Sequence, residues 1–587
     1  MKKIMLLVLC ITLAMTGAPR AKAEEPAVRI TFSGDGITAP ETDDVRIDGS
    51  TVTIRDKGTY VLSGALENGQ IIVDAGGKDD VTLVLNGVTV ANEAGPALLV
   101  ENANITVLRL APGTENALIS GTAVDVLDTP ADESAKGGAI HAKDSLRIEG
   151  EGSLTVGGYL NNGIHTSNSL TVLGGDITVE AVNHGVKGKD TVLIEGGTLR
   201  ITAGKDGIVS DDTTGEGYGV VTIRGGTLTV NAVGDGIQAE TLLDISGGTL
   251  DITAGGGSEG VEHGASEDWG GFGGGRGGWG FGRPGYDFAE PVDDSPSAKG
   301  LKSGVAVTVS GGDITVDAAD DAVHANGSVT VSGGTLTLSS GDDGIHADNE
   351  LTVEDGVITV LTSYEGMEAN QILLAGGVMD VTSSDDGLNA CGGPSVFGMG
   401  GGHGGFGGPG GRGFGSRDSG QSGNEAEDLP LLRVTGGTLH VNAEGDGLDS
   451  NGSIVIEGGE IIVDGPLYGM NGALDSGAEN GGSCEIHGGV VLAIGAAGMA
   501  ETFDNTSTQC AFQLTMQGIS AGDEIVITDS KGTVIFRHTA AKACASIVFS
   551  SPELTVGETY TVTAGGRSAQ VTQTSVSTGG QPMRWGW

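Results

Sequence analysis

The sequence predicts an all-β protein: a right-handed three-faced parallel β-helix, a solenoid of about 22 residues per coil, with a small C-terminal antiparallel β domain. Three observations carry this. A Gly-Gly corner recurs at Gly174, Gly196, Gly225, Gly247, Gly311, Gly333, Gly376, Gly436 and Gly458, and the steps 174→196, 225→247, 311→333 and 436→458 are each 22 residues. A fixed period of that size marks stacked repeats. Within one repeat, SVTVSGGTLTLSSGDDGIHADNELTVEDG (Ser328 to Gly356), three short alternating runs (Val329–Val331, Thr335–Leu338, Gly344–Ala347) are divided by Gly- or Asp-rich corners. Such period-2 runs are strands with one face buried. Finally, no helix-period segment of useful length follows the first residues, which excludes helical repeats.

Taken in order, Lys2-Lys3, the apolar run Ile4–Met15 and Ala21-Lys22-Ala23 form a signal peptide over residues 1–23. A lipoprotein signal ending at Cys10 would leave too short an apolar region. The expected product is secreted, extracellular or associated with the cell surface, and no later stretch is apolar for long enough to insert in a membrane. Residues 24–122 read as an N-terminal cap and first coils, with strands Thr51–Ile54, Thr59–Leu62, Gln70–Val73 and Val81–Leu85. Residues 123–500 are the β-helix body, interrupted by Gly-rich inserts at 264–296 and 392–428. Longer strands over residues 501–566 (Phe512–Met516, Glu524–Thr528, Val534–Arg537, Ser546–Phe549, Thr559–Thr563) give the small β domain, and 567–587 a disordered tail. Cys391, Cys484, Cys510 and Cys544 fit no zinc spacing; Cys510 and Cys544 either pair after export or are isolated thiols.

The net charge of −47, with 30 basic against 77 acidic residues, excludes nucleic acid as a partner, because phosphate contacts need clustered Lys and Arg. The acids are periodic. Stacking the coils on their Asp-Gly corner gives the column Asn162, His184, Asp206, Asp235, Glu259, Asp321, Asp343, Glu365, Asp386, Asp446, Tyr468 and Ala497. Doubled acids flank it: Asp211-Asp212, Asp320-Asp321, Asp342-Asp343 and Asp385-Asp386. Neighbouring carboxylates about 5 Å apart repel, and Ca2+, with its ~6–8 oxygen ligands, relieves that. Candidate calcium ligands are therefore Asp206, Asp211, Asp212, Asp235, Asp320, Asp321, Asp342, Asp343, Asp385, Asp386, Asp446 and Asp449. Asp before Gly also caps its own turn, so the corners have a metal-free explanation too.

Three positions later runs a polar column: His165, Lys187, Val209, Gln238, Glu262, His324, His346, Glu368, Asn389, Asp449, Asn471 and Ala500. It reads as an outward row of hydrogen-bonding groups suited to a long polymer, with His324, His346, Glu368 and Asn389 as candidate contacts, or as a solvated face. Counted alone, its histidines give no three-ligand zinc cluster. In the first insert, Trp269 and Trp279 would stack on sugar rings and Arg276 and Arg283 pair with sugar carboxylates, unless the segment is a flexible Gly-rich loop.

The phrases GTYVLSGALENGQIIVDAG, GGTLTVNAVGDGIQAE, GGTLTLSSGDDGIHAD and SSDDGLNA resemble the secreted β-helical carbohydrate-binding family of clostridia-like bacteria, over roughly residues 28–500. FSSPELTVGETYTV is similar to that family's small C-terminal domain. The resemblance implies a pectate-lyase-like shape, bound Ca2+, and binding of cellulose or acidic, pectin-type polysaccharide. The sequence thus reads as a non-catalytic, monomeric, calcium-dependent polysaccharide binder. Alternatives are a calcium-dependent pectate-type lyase, with Lys187, Lys189 or Lys205 as base, and a structural or adhesive surface protein. The lyase phrase D-D-G-x-D is incomplete: His346 follows Asp342-Asp343-Gly344-Ile345, and Asn389 follows Asp385-Asp386-Gly387-Leu388.

Overall fold

The computed structural model describes residues 27–34, 36–130, 137–261, 297–391 and 429–579. Residues 1–23, read from sequence as a signal peptide, both Gly-rich inserts with Trp269, Arg276, Trp279 and Arg283, and residues 580–587 lie outside the described residues. The chain is all-β; one three-residue 3-10 turn, Ala478–Asn480, is the helical element among the described residues.

From Ile105 to Ile223 each strand pairs in parallel with the third strand after it; beyond that, where two strands run through the Gly-Gly corner as one, the partner is often the second. Ser145–Gly150 pairs with Ser169–Val172, which pairs with Thr191–Ile194. Ser153–Gly158 is followed by Asp176–Ala181 and Thr198–Ala203. Asn162–Thr166 is followed by Val186–Gly188 and Ile208–Ser210. Three parallel ladders result. Around the repeat, Val307, Val329 and Leu351 stand in register, as do Ile314, Leu336 and Ile358. All six are buried, and each apolar side chain removed from water stabilises by roughly 1.5–3 kcal/mol.

Two different constraints select glycine at the corners. The second Gly of each Gly-Gly pair has a positive φ, as at Gly334 (+92°), where other residues are strained. The Gly of Asp-Gly is needed for closeness: a Cβ on Gly344 would lie 2.5 Å from the Gly366 carbonyl oxygen and 2.8 Å from Val360 Cγ1.

The ends depart from the expected boundaries. Parallel pairing already begins with Val28–Gly34 against Gly58–Leu66, and Val45–Asp48 folds back antiparallel on Thr51–Ile54. At the other end, Cys544–Ser550 pairs antiparallel with both Val490–Gly495 and Ala511–Ile519. These two later strands therefore continue the main sheet, and only Glu524–Thr528, Val534–Thr539, Thr559–Ala564 and Arg567–Thr572 form a separate antiparallel sheet. Arg567–Thr572, expected in the tail, is its edge strand, turned back on Thr559–Ala564 by Gly565-Gly566. Asp464 joins the two parts: it is fully buried and accepts hydrogen bonds from His440 Nε2 (3.1 Å), His538 Nε2 (3.0 Å) and Ala541 N (2.9 Å). Cys391, Cys484, Cys510 and Cys544 are all free thiols.

Candidate carbohydrate-binding face

The face of interest is the ladder built by the Asp-Gly-Ile-X-Ala phrase. In Val323–Ala325 and Leu388–Ala390 the first and third side chains are buried and the middle one faces out. Register places these middle residues in the row His141, His165, Lys187, Val209, Gln238, Lys302, His324, His346, Glu368, Asn389, Asp449, Asp475, of which Val209 is buried. His324, His346, Glu368 and Asn389 thus stand side by side, as the polar column predicted.

Two coils were misread from sequence. Glu259-Gly260-Val261-Glu262 imitates the phrase, but Gln238 pairs with Lys302, so Lys299 takes the corner and Lys302 the outward place. Tyr468-Gly469-Met470-Asn471 is a second decoy; Asp449 pairs with Asp475, and Gly472 takes the corner. In both cases the first Gly-containing match is not the one that pairs. Tyr468 (76% exposed) and Met470 (77% exposed) instead project from the loop between Asp464 and Leu474. That loop is tied to the row by a hydrogen bond from Gly472 N to Asp446 Oδ1.

The corner carboxylates cap the next coil rather than their own turn. Asp235 N donates to Asp206 Oδ1 (2.9 Å), Lys299 N to Asp235 Oδ1 (2.9 Å), Asp343 N to Asp321 Oδ1 (3.1 Å) and Asp446 N to Asp386 Oδ1 (2.6 Å). One oxygen of each is thereby committed to the fold. What the other oxygen meets changes along the row.

In the N-terminal two thirds it meets a cationic or imidazole group of the protein. Asp206 Oδ2 is 3.0 Å from His184 Nδ1, and Asp235 Oδ2 is 2.9 Å from Lys302 Nζ. Lys299 Nζ bridges Asp320 (2.7 Å) and Asp321 (2.6 Å). Asp211 pairs with Lys187 (2.5 Å) and Asp212 with Lys189 (3.2 Å). Two of the candidate lyase bases are therefore bound to acids, and Lys205 is exposed.

The middle coils hold a mixed group. His346 Nδ1 lies 2.8 Å from Asp343 Oδ2 and 3.1 Å from Glu368 Oε2, while its Nε2 is 3.2 Å from Asp348 Oδ1. Burial acts to lower the His346 pKa, but its hydrogen bonds to Asp343 and Glu368 prevail and lift it to about 11. Glu368 is held down to about 2 because the His346 contact outweighs burial.

At the C-terminal end the corner acids stand closer to one another than to any cation that pairs with them among the described residues. Asp446, Asp449 and Asp475 bring carboxylate oxygens within 4.8 Å of one another, and among the described residues no Lys, Arg or His forms an ion pair with Asp386, Asp446 or Asp449. Burial, then the neighbouring acids, push Asp449 up to about 9; burial raises Asp446 to about 8 and Asp386 to about 6 despite the backbone hydrogen bond each accepts. Glu365, one coil before Asp386, rises to about 8 through burial and Glu368. Asn389 donates Nδ2 to both Glu365 oxygens (3.2 and 3.0 Å), and its buried Oδ1 has no hydrogen-bond partner. Of the twelve predicted metal ligands, only Asp385, Asp386, Asp446 and Asp449 belong to this cation-poor end, and Asp475 was missed.

The profile of the carbohydrate-binding domain-containing protein family matches residues 48–344. A carbohydrate-binding domain-containing protein of Acetivibrio thermocellus is 35% identical over 178 residues, 29% of this chain and 62% of that relative's length. The solved polysaccharide lyase-like protein from C. thermocellum, as its gadolinium derivative, is 34% identical with a TM-score of 0.36, over 39% of this chain and 92% of that one. With half its length matched by the profile, the chain belongs to the carbohydrate-binding domain-containing protein family.

Proposed function

We propose that this is an exported, monomeric, non-catalytic protein that holds an acidic, pectin-type polysaccharide along the outward row, with Ca2+ bridging protein and sugar carboxylates at its C-terminal end. The three ladders are read as the faces of a right-handed β-helix. The observation that carries the calcium assignment is the change in partners along the corner column. Among the described residues Asp386, Asp446 and Asp449 form no ion pair with Lys, Arg or His, Asp475 stands beside Asp446 and Asp449, and Asp446 and Asp449 have pKa values lifted to about 8 and 9. Calcium takes ~6–8 oxygen ligands in flexible geometry. A few of these would come from the acids and the unpartnered Asn389 Oδ1, leaving positions for a uronate. A strongly acidic protein would otherwise repel such a polymer. Family membership supports carbohydrate as the partner, and the basic, apolar, A-x-A start of the sequence supports export.

A lyase would place a basic residue beside the metal-bound uronate. Lys187 stands eight strands from Asp449 in the row, roughly 38 Å at ~4.8 Å per strand. The test is affinity electrophoresis through polygalacturonate. Migration should be retarded with calcium and released by EDTA, without a rise in ultraviolet absorbance from unsaturated products. Equal retardation in EDTA would overturn the bridging role.

A further inference from the structure

We propose that Asp343, His346 and Glu368 form a site for a borderline transition cation of the zinc class, distinct from the oxygen-only calcium cluster. One ligand atom from each of the three residues falls within 4.8 Å of the others. The two measured separations, His346 Nδ1 to Asp343 Oδ2 (2.8 Å) and to Glu368 Oε2 (3.1 Å), lie close to the roughly 3.4 Å between donors of a tetrahedron with ~2.1 Å bonds. Opening them by a few tenths of an ångström admits an ion.

The surroundings are those of a metal-binding histidine. Such a histidine generally engages a carboxylate or carbonyl through its other ring nitrogen, which fixes its tautomer and orientation. His346 Nε2 faces Asp348 Oδ1 at 3.2 Å. Glu368 is positioned the same way: Cys391 Sγ donates to its Oε1 at 2.7 Å, turning Oε2 toward the imidazole. Asp343 is buried, whereas His346 and Glu368 are each 22% exposed, so an ion has a route in and a position for water.

Chemistry separates this group from its neighbours. Its central donor is an imidazole nitrogen, which suits zinc, cobalt or nickel and not calcium, an ion of oxygen ligands. The overlapping group Asp321, His324 and His346 is disfavoured because Lys299 Nζ, 2.6 Å from Asp321 Oδ2, already holds the place of a cation. Lysine makes no such contact with Asp343 or Glu368 among the described residues.

The test is titration of the chelator-treated full chain with Co2+, read by its visible absorption, and with Zn2+ by calorimetry in excess calcium. One saturable site is expected, with His346→Gln and Glu368→Gln each weakening Zn2+ binding at least 100-fold. Asp348→Asn should weaken it ten- to hundredfold and change the Co2+ spectrum. Asp449→Asn should leave Zn2+ binding unchanged, so failure here is distinguishable from failure of the calcium reading. Wild-type Zn2+ affinity in both Gln variants, or displacement of Zn2+ by calcium, would overturn the proposal.

Discussion

Replacing Asp449 with Asn should stabilise the protein in EDTA and deprive it of stabilisation in calcium. Asp449 shares a space of 4.8 Å with the carboxylates of Asp446 and Asp475. Two full charges at that separation cost about 3 kcal/mol at an effective dielectric near 20. The carboxyls escape part of this by holding protons, with pKa values of about 9 for Asp449 and about 8 for Asp446. Removing one charge should then stabilise the cation-free protein by roughly 2–4 kcal/mol at neutral pH, read as a higher denaturant midpoint. The pH dependence has a definite sign. A carboxyl whose folded pKa is raised binds more protons folded than unfolded, so the wild type loses stability as pH climbs from the ordinary carboxylate range through 8 and 9. The advantage of the variant in EDTA should therefore grow from pH 5 to pH 9. Calcium at 100 times its Kd should add about 2.7 kcal/mol to the wild type and little to the variant, cancelling most of the variant's advantage. An Asp449→Asn protein that is less stable than wild type in EDTA would refute the reasoning, since the carboxylate would then have a cationic partner.

Four further outcomes follow from the fold. Asp464→Asn leaves His440 and His538 without their buried acceptor and should cost about 3 kcal/mol, seen as earlier proteolysis between the ladders and the C-terminal sheet. In the wild type this junction should weaken at both pH extremes. Burial opposes ionisation of Asp464, but hydrogen bonds from His440 and His538 hold its pKa below the usual carboxylate range, so its contribution is lost only in strong acid. His440 is raised, chiefly by its hydrogen bond to Asp464, so its contribution is lost as pH rises through a value above 6.5. Leu336→Ala, in the middle of the stack, should destabilise by about 2–5 kcal/mol on equilibrium unfolding. Gly344→Ala drives a Cβ against the Gly366 carbonyl and should cost about 1–3 kcal/mol.

The 22-residue step made the ladders legible before any coordinates, because alternation and Gly-Gly corners recur at fixed spacing and pair in that register. Glycine serves two different ends at the corners. Gly334 is a positive-φ corner, but Gly344 is Gly because coils approach closely, which local sequence does not reveal. The outward row was readable from His165 to Gln238 and from His324 to Asp449, where no rival phrase intervenes. It failed where loops supply a decoy, and Lys299, Lys302 and Asp475 were lost in this way. Missing the two lysines hid the main electrostatic fact, that the corner acids divide into a set neutralised from within and a set that is not. The His346 group was missed because histidines alone were counted, whereas its other donors arrive from the corner column of its own coil and the next coil of the row.

The most direct test of the central claim is calcium titration of the full chain by calorimetry, alone and with a saturating acidic oligogalacturonide. Calcium bridging at the Asp386–Asp475 end predicts saturable sites whose affinity rises when the sugar is present and falls in Asp449→Asn. Calcium affinity unaffected by both the sugar and that substitution would contradict it.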